Sequence, residues 1–318
     1  MKQITAYVRE YFHEEWNPKL FVAVGVLLLV CFAVNYRFIS EASIIRQLPN
    51  PLHQFVFYFF FYGIPYGATL ALYLLTTGKR DFLRNRQFVL LTLFCLAILS
   101  AYVTLHNFPS YLLRSTPSVF EPIPKAFQGY AVRYTSNLLP GLFAILPIAF
   151  YWMKNDRRNF RLYGFSSSHI NLKTYFGILL LLVPVVFAAS FGSDFQSAYP
   201  RYKFGLPQSV IGTERNLLVG VFEICYSVDF VFVELFFRGF MVMAFSRYLG
   251  SSAILPMVVA YAFIHFQKPV GEAIGSVFGG LVLGIISYRT KSIYGGIILH
   301  LGVAYLMEIA GTMHMLLS

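Results

Sequence analysis

A carboxylate and a guanidinium, Glu234 and Arg238, lie four residues apart in a run whose other side chains are apolar or absent, residues 233–239. On a helix this spacing makes them neighbours on one face, so the two charges can pair. Ionisable side chains are costly at membrane depth, and a pair retained there is a functional-site hypothesis.

Two histidines, His265 and His300, lie in other apolar stretches. Counted along their helices at 1.5 Å per residue, Glu234, His265 and His300 lie roughly 18, 20 and 10 Å from the predicted cytoplasmic ends, so they can meet inside a bilayer. A carboxylate can take a proton from water, one imidazole can orient it, and a second can donate to an oxyanion. Arg238 would hold the carboxylate ionised. These catalytic candidates suit hydrolysis without a covalent intermediate.

The same carboxylate and imidazoles could instead bind Zn²⁺ with an open position. The HExxH pairing of many zinc hydrolases is missing from the sequence. Metal-free chemistry is therefore favoured, and no cofactor or metal is expected.

The composition is that of a membrane protein. Of 318 residues, 57% are hydrophobic and only 12% charged, against roughly 25% charged in soluble domains. The formal charge of +11 is carried largely by short segments between apolar runs, where basic residues orient a membrane protein. The expected partner is therefore the lipid bilayer and not nucleic acid.

Apolar stretches long enough to cross about 30 Å of hydrocarbon recur along the chain. They predict an all-α polytopic helical bundle with about nine transmembrane helices, or eight as the alternative. The predicted spans are 19–36, 54–76, 87–105, 136–153, 173–191, 216–246, 252–267, 270–288 and 293–316. Basic residues between the spans predict a cytoplasmic N-terminus and an outside C-terminus in a bacterial cytoplasmic membrane.

Other segments follow from the same pattern. The apolar positions of the first sixteen residues predict a short interfacial helix. The first four spans carry few charges, which is typical of helices that pack a scaffold. Residues 106–135 and 192–215 are expected to be long outside connections, acting as a lid or partner surface or, more simply, packing at the interface.

The sixth span has two polar faces. At 100° per residue, Glu223, Glu234 and Arg238 form one stripe, whereas Asp229 lies within 40° of Val233 on another face. Glycines four apart in the eighth span are expected to let the seventh and ninth helices approach closely.

The C-terminal half resembles the CPBP, or Abi, family of intramembrane proteins, which includes the type II CAAX prenyl endopeptidases. Its Glu-Glu-x-x-x-Arg, Phe-x-x-x-His and His-x-x-x-Asn motifs correspond to residues 233–238, 261–265 and 300–304. The resemblance covers roughly 173–310 and divides the chain into N-terminal membrane helices, 1–172, and a CPBP-like core, 173–318. It implies a helical core and glutamate-dependent hydrolysis of a membrane-associated peptide.

Two positions depart from the family pattern: Val233 replaces the first glutamate and Ala304 the final asparagine. Neither side chain can transfer a proton or donate a hydrogen bond. The first hypothesis is a metal-independent glutamic-type intramembrane endopeptidase in which Glu234 or Asp229 supplies the carboxylate. The second is a catalytically degenerate relative that binds or regulates a membrane partner, and the third is a small-solute transporter using the same polar residues.

Overall fold

The structure is a computed structural model that describes residues 2–48, 50–167, 170–204, 206 and 210–317. Over these residues the chain is helical with no β-strand, which confirms the all-α prediction. The α-helices are α1 (Lys2–Glu15), α2 (Pro18–Ala33), α3 (Glu41–Gln47), α4 (Pro51–Thr77), α5 (Asp81–Arg84), α6 (Arg86–Ser115), α7 (Lys125–Asn155), α8 (Leu172–Ala189), α9 (Ser193–Ala198), α10 (Gly212–Glu234), α11 (Phe245–Leu249), α12 (Ile254–Phe263), α13 (Val270–Thr290) and α14 (Tyr294–Leu317).

Two π-helical segments, Val34–Phe38 and Leu235–Ala244, continue α2 and α10. Short 3₁₀ helices cover Pro117–Phe120, Arg201–Lys203 and Gly250–Ala253.

Asparagine caps fix where four of the long helices begin. The side chains of Asn17, Asn50, Asn85 and Asn171 each accept a hydrogen bond from a backbone N–H in the first turn of α2, α4, α6 and α8. Such a cap satisfies a donor that the helix itself leaves unpaired. The starts of these four membrane helices are therefore set by local sequence.

Seven helical segments in the described chain are long and apolar enough to cross a membrane: Pro18–Phe38, α4, α6, α7, α8, α13 and α14. The protein is an integral membrane protein. The other two predicted spans differ. Span 216–246 lies inside the continuous helical run from α10 to α11. Span 252–267 holds the end of a 3₁₀ helix and the ten-residue α12, and its last four residues are not helical. At 1.5 Å per residue α12 is about 15 Å long, half the hydrocarbon thickness.

Ion pairs connect the segments at one end of the bundle, here called the N-terminal end. Arg289, in the last turn of α13, pairs with Glu14 of α1 at 2.7 Å. Arg247 of α11 pairs with Asp156, which follows α7. The first contact places the end of α1 beside the end of α13, and the second places α11 beside the end of α7. Ser252, which follows α11, also donates to Glu15 of α1.

A second set of contacts marks the opposite end, here called the C-terminal end. The Asn35 side chain donates to the Phe266 carbonyl at 2.9 Å, and Tyr199 donates to Glu272 at 2.8 Å. The segments that follow α2, α8 and α12 therefore meet there. Which end faces the cytoplasm stays a prediction.

The predicted long connection over 106–135 is wrong. α6 continues to Ser115 with Pro109 inside it, and α7 starts at Lys125, so only nine residues separate the two helices. Proline removes one helical hydrogen bond, but packing against neighbouring helices can retain the helix through it. In the second predicted connection, α9 and a 3₁₀ helix occupy part of 192–215, and positions 205 and 207–209 lie outside the described residues.

One continuous core joins the two halves of the chain. It includes Tyr62 and Leu99 from the N-terminal helices and Phe240, Met257 and Ile285 from the C-terminal ones, all nearly inaccessible to solvent. A helix, α1, forms within the first sixteen residues as predicted, and its Tyr11 is buried in the same core. The division at residue 172 stays a prediction.

Candidate functional site

Glu234 and Arg238 form the buried ion pair that their spacing predicts. Arg238 Nη1 lies 3.2 Å from Glu234 Oε1, and both side chains are fully buried. Glu234 is the last residue of α10, and Arg238 lies in the π-helical segment that follows. A second partner, His300 Nδ1 of α14, lies 2.9 Å from the same Oε1. Glu234 therefore links two helices.

The second oxygen of this carboxylate is also enclosed. Glu234 Oε2 is buried without a hydrogen-bond partner among the described residues. It packs against Gly296 of α14, where an added Cβ would collide with it. A glycine at 296 is thus required for α14 to approach Glu234 this closely.

Tyr261 of α12 connects the ion pair to both histidines. The Arg238 guanidinium stacks 3.8 Å from the Tyr261 ring centroid, a favourable cation–π geometry. Tyr261 Oη lies 3.2 Å from His300 Nε2, and the Tyr261 carbonyl lies 2.9 Å from His265 Nδ1. The four residues predicted from the sequence therefore belong to one cluster, with Tyr261 at its centre.

This geometry leaves the two histidines in different situations. Both ring nitrogens of His300 have protein partners, so its orientation is fixed by Glu234 and Tyr261. His265 uses Nδ1 for its own helix, so Nε2 is the nitrogen that can meet a ligand. A site with one free imidazole is poorer in proton-transfer groups than the sequence alone suggests.

A cavity of about 390 Å³ lies between the helices on the C-terminal side of this cluster. Val233, His265 and His300 line it, whereas Glu234 and Arg238 do not. The face of α10 that carries Val233 is therefore directed toward the cavity. The face that carries Glu234 is turned into protein.

Asp229 lies one turn before Val233 and also lines the cavity. Tyr102 of α6 donates a 2.5 Å hydrogen bond to Asp229 Oδ1. This agrees with the 100° rule, which places Asp229 and Val233 on a common face. The predicted stripe faces α14, because Glu223 lies beside Glu308 of that helix and Glu234 lies beside His300 of the same helix.

Helices α6 and α7 supply cavity residues that were not predicted from the sequence: Tyr102 and His106 of α6, and Arg133 and Asn137 of α7. Tyr102 and Asn137 lie in spans expected to be scaffold, whereas His106 and Arg133 lie in the predicted connection. Each pair is spaced four residues apart, so each helix presents one polar stripe. This four-residue spacing is visible in the sequence and could have indicated the polar stripe on each helix.

Charged groups from the C-terminal end complete the lining. Lys268 Nζ lies 3.4 Å from Glu272, and burial lowers the pKa of Lys268. Glu41 of α3 is 3% exposed and accepts a hydrogen bond from Gln267. Burial raises the pKa of Glu41 to about 7. The cavity thus combines three acidic groups, Glu41, Asp229 and Glu272, with basic ones.

The glycines of α13 fall into two groups, those packed against α12 and those with open space around them. A Cβ at Gly280 would press on the Tyr261 ring, and one at Gly284 would meet Met257 and Ile254. Both glycines therefore let α13 approach α12. Gly275 and Gly279 have open space around them and have no such role. Among the residues described, no three His, Cys, Asp or Glu side chains are grouped as metal ligands.

These features define a class: an all-helical integral membrane protein with a buried Glu–Arg–His–Tyr network beside a polar cavity. Residues 216–306 match a family model described as type II CAAX prenyl endopeptidase Rce1-like. This match confirms, over that segment, the resemblance to the CPBP family carried by the three motifs. No curated protein and no solved structure matches the chain significantly.

Proposed function

We propose that this protein binds a membrane-associated peptide in its cavity and has lost the glutamate route of peptide hydrolysis. The observation that carries the proposal is that, of two neighbouring residues, the one facing the cavity is apolar and the one carrying the carboxylate is enclosed in protein. Val233 lines the cavity at the position of the family's first glutamate, and Glu234 is enclosed by Arg238, His300 and Gly296. A carboxylate that does not reach the cavity cannot activate a water there.

The second replaced position supports the same conclusion. Ala304 is buried in a cluster with Tyr202, Phe222 and Tyr226, and the last two line the cavity. The alanine side chain itself offers an oxyanion no donor, whereas the asparagine of the family pattern would. Loss of one oxyanion donor lowers a rate by roughly 10²–10³, and loss of the general base by roughly another 10²–10⁴.

Photo-crosslinking tests peptide binding without knowledge of the ligand. A photoreactive phenylalanine analogue at position 233 should capture a peptide or protein segment from native membranes. The same analogue at Leu180, which is 72% exposed on α8, reports lipid-facing contacts and should not capture it. Equal capture at both positions, or none at 233, would contradict the proposal.

A second candidate, hydrolysis with Asp229 as the base, is favoured by one observation: Asp229 and His265 line the same cavity. The captured peptide distinguishes the two functions. Under the binding proposal, reconstituted wild-type protein leaves the peptide intact. Cleavage that disappears in Asp229→Asn and survives in Glu234→Gln would establish the second candidate in its place.

A further inference from the structure

Three cations surround one aromatic ring at the C-terminal end. The guanidinium carbons of Arg133 and Arg201 lie 5.6 and 6.0 Å from the centroid of Phe204, and Lys203 Nζ lies 5.1 Å from it. The sum of the first two distances limits the separation of the guanidinium groups to about 12 Å. Arg133 and Arg201 also line the cavity.

Among the described residues, neither guanidinium lies within 4.0 Å of a carboxylate oxygen, since every ion pair found at that distance involves other cations. Lys203 differs, because its ammonium donates to the carbonyls of Gln196 and Tyr199 at 2.7 and 2.8 Å. Of the three cations, Arg133 and Arg201 are therefore the two whose N–H donors can bind an anion.

Glu308 of α14 interacts electrostatically with Arg201, but the two side chains do not form an ion pair within 4.0 Å. Both oxygens of the carboxylate accept from the Arg201 backbone N–H, at 2.8 and 2.9 Å. Glu308 therefore fixes the backbone at Arg201. The N–H donors of the Arg201 guanidinium are not used in this contact.

The depth of Arg133 matches that of lipid headgroups. α7 has 31 residues and is about 46 Å long, roughly 16 Å more than the hydrocarbon thickness. Centred in a bilayer, it extends about 8 Å beyond the hydrocarbon at each end. Arg133, eight residues into the helix, then lies about 4 Å below the hydrocarbon edge, within reach of the phosphate layer for a long side chain.

We propose that Arg133 and Arg201 form a binding site for a phosphate group at the cavity mouth. Guanidinium forks match phosphate oxygens in geometry and charge. The phosphate can come from a phospholipid headgroup or from a soluble phosphate ester. The site does not depend on the peptide-binding proposal, since its test measures phosphate alone.

The experiment uses the purified full chain in detergent, stripped of lipid. Inorganic phosphate and short-chain phosphatidylglycerol are titrated separately, and binding is followed by native mass spectrometry and thermal stability. The test variants are Arg133→Gln/Arg201→Gln and Arg133→Gln alone. The control is Arg114→Gln. It removes an exposed arginine from the last turn of α6, which lies at the same end of the bundle as Arg133 and Arg201.

We expect saturable binding of phosphate by the wild type, roughly tenfold weaker in either test variant because hydrogen bonds to a charged group are lost. Arg114→Gln should bind like the wild type. Binding of phosphatidylglycerol but not inorganic phosphate assigns the headgroup as the source, and binding of both admits soluble esters. Absence of saturable binding by the wild type, or unchanged affinity in folded Arg133→Gln, would overturn the proposal.

Discussion

Replacing Glu234 by glutamine separates a structural role from a catalytic one. Glutamine keeps an oxygen that His300 can use but removes the charge opposite Arg238. At the observed 3.2 Å and an effective dielectric constant of about 20, that attraction is roughly 5 kcal/mol. Breaking a buried ion pair typically destabilises a protein by about 3–5 kcal/mol, because the remaining charge stays buried. We expect a loss of stability in this range.

The assay is reversible unfolding in detergent, compared with Glu214→Gln, which removes an exposed carboxylate from the same helix. The control should change stability by no more than about 0.5 kcal/mol. The double variant Glu234→Leu/Arg238→Met removes both charges. It should be more stable than Glu234→Gln, since no charge is left unpaired.

Two results would refute this account of the pair. One is a Glu234→Gln protein as stable as the wild type. The other is a double variant no more stable than the single one. Either would mean that Glu234 is held for a reason other than pairing with Arg238.

Three further perturbations address other contacts. Burial raises the pKa of Glu41 from 4.5 to about 7, so its contribution to stability is fully present below pH 4.5 and is lost as pH rises through 7. The wild-type free energy of unfolding should therefore fall by about 3 kcal/mol between pH 4.5 and pH 7 because of this group. The Glu41→Gln variant should not show this fall. Gly296→Ala should cost about 1–3 kcal/mol by overpacking against Glu234, measured by thermal unfolding. Asp156→Ala should cost about 1–3 kcal/mol because Arg247 and the buried Tyr163 hydroxyl both lose their partner, measured by denaturant titration.

Each perturbation has a matched control. For Glu41, the difference between the wild-type and variant pH curves cancels the other titrating groups, and parallel curves would contradict the assignment. Gly279→Ala adds a methyl group where the structure has open space and should not lower the melting temperature, since alanine favours the helix more than glycine does. Asp81→Ala removes an exposed carboxylate at the N-terminal end, so an effect equal to that of Asp156→Ala would argue against the Arg247 contact.

Helical periodicity was sufficient to predict the fold and much of the site. It grouped Glu234 with Arg238 and placed Asp229 on the face of Val233, because all four residues lie on or next to a regular helix. It could not predict which face meets the cavity. That depends on Gly296 and His300, more than sixty residues away, whose packing encloses Glu234.

One error has a physical cause. The connection was predicted to begin at residue 106, but α6 continues through the buried Pro109 to Ser115, because packing against neighbouring helices can retain a helix through a proline. Such packing is not written in the local pattern of apolar residues.

The buried ion pair also determines how a transmembrane voltage acts on the site. Glu234 and Arg238 carry opposite charges 3.2 Å apart, so the electric field across the membrane exerts almost no net force on the pair. A variant with only one of them would carry a voltage-sensing charge, with an energy of up to about 2.3 kcal/mol per 100 mV.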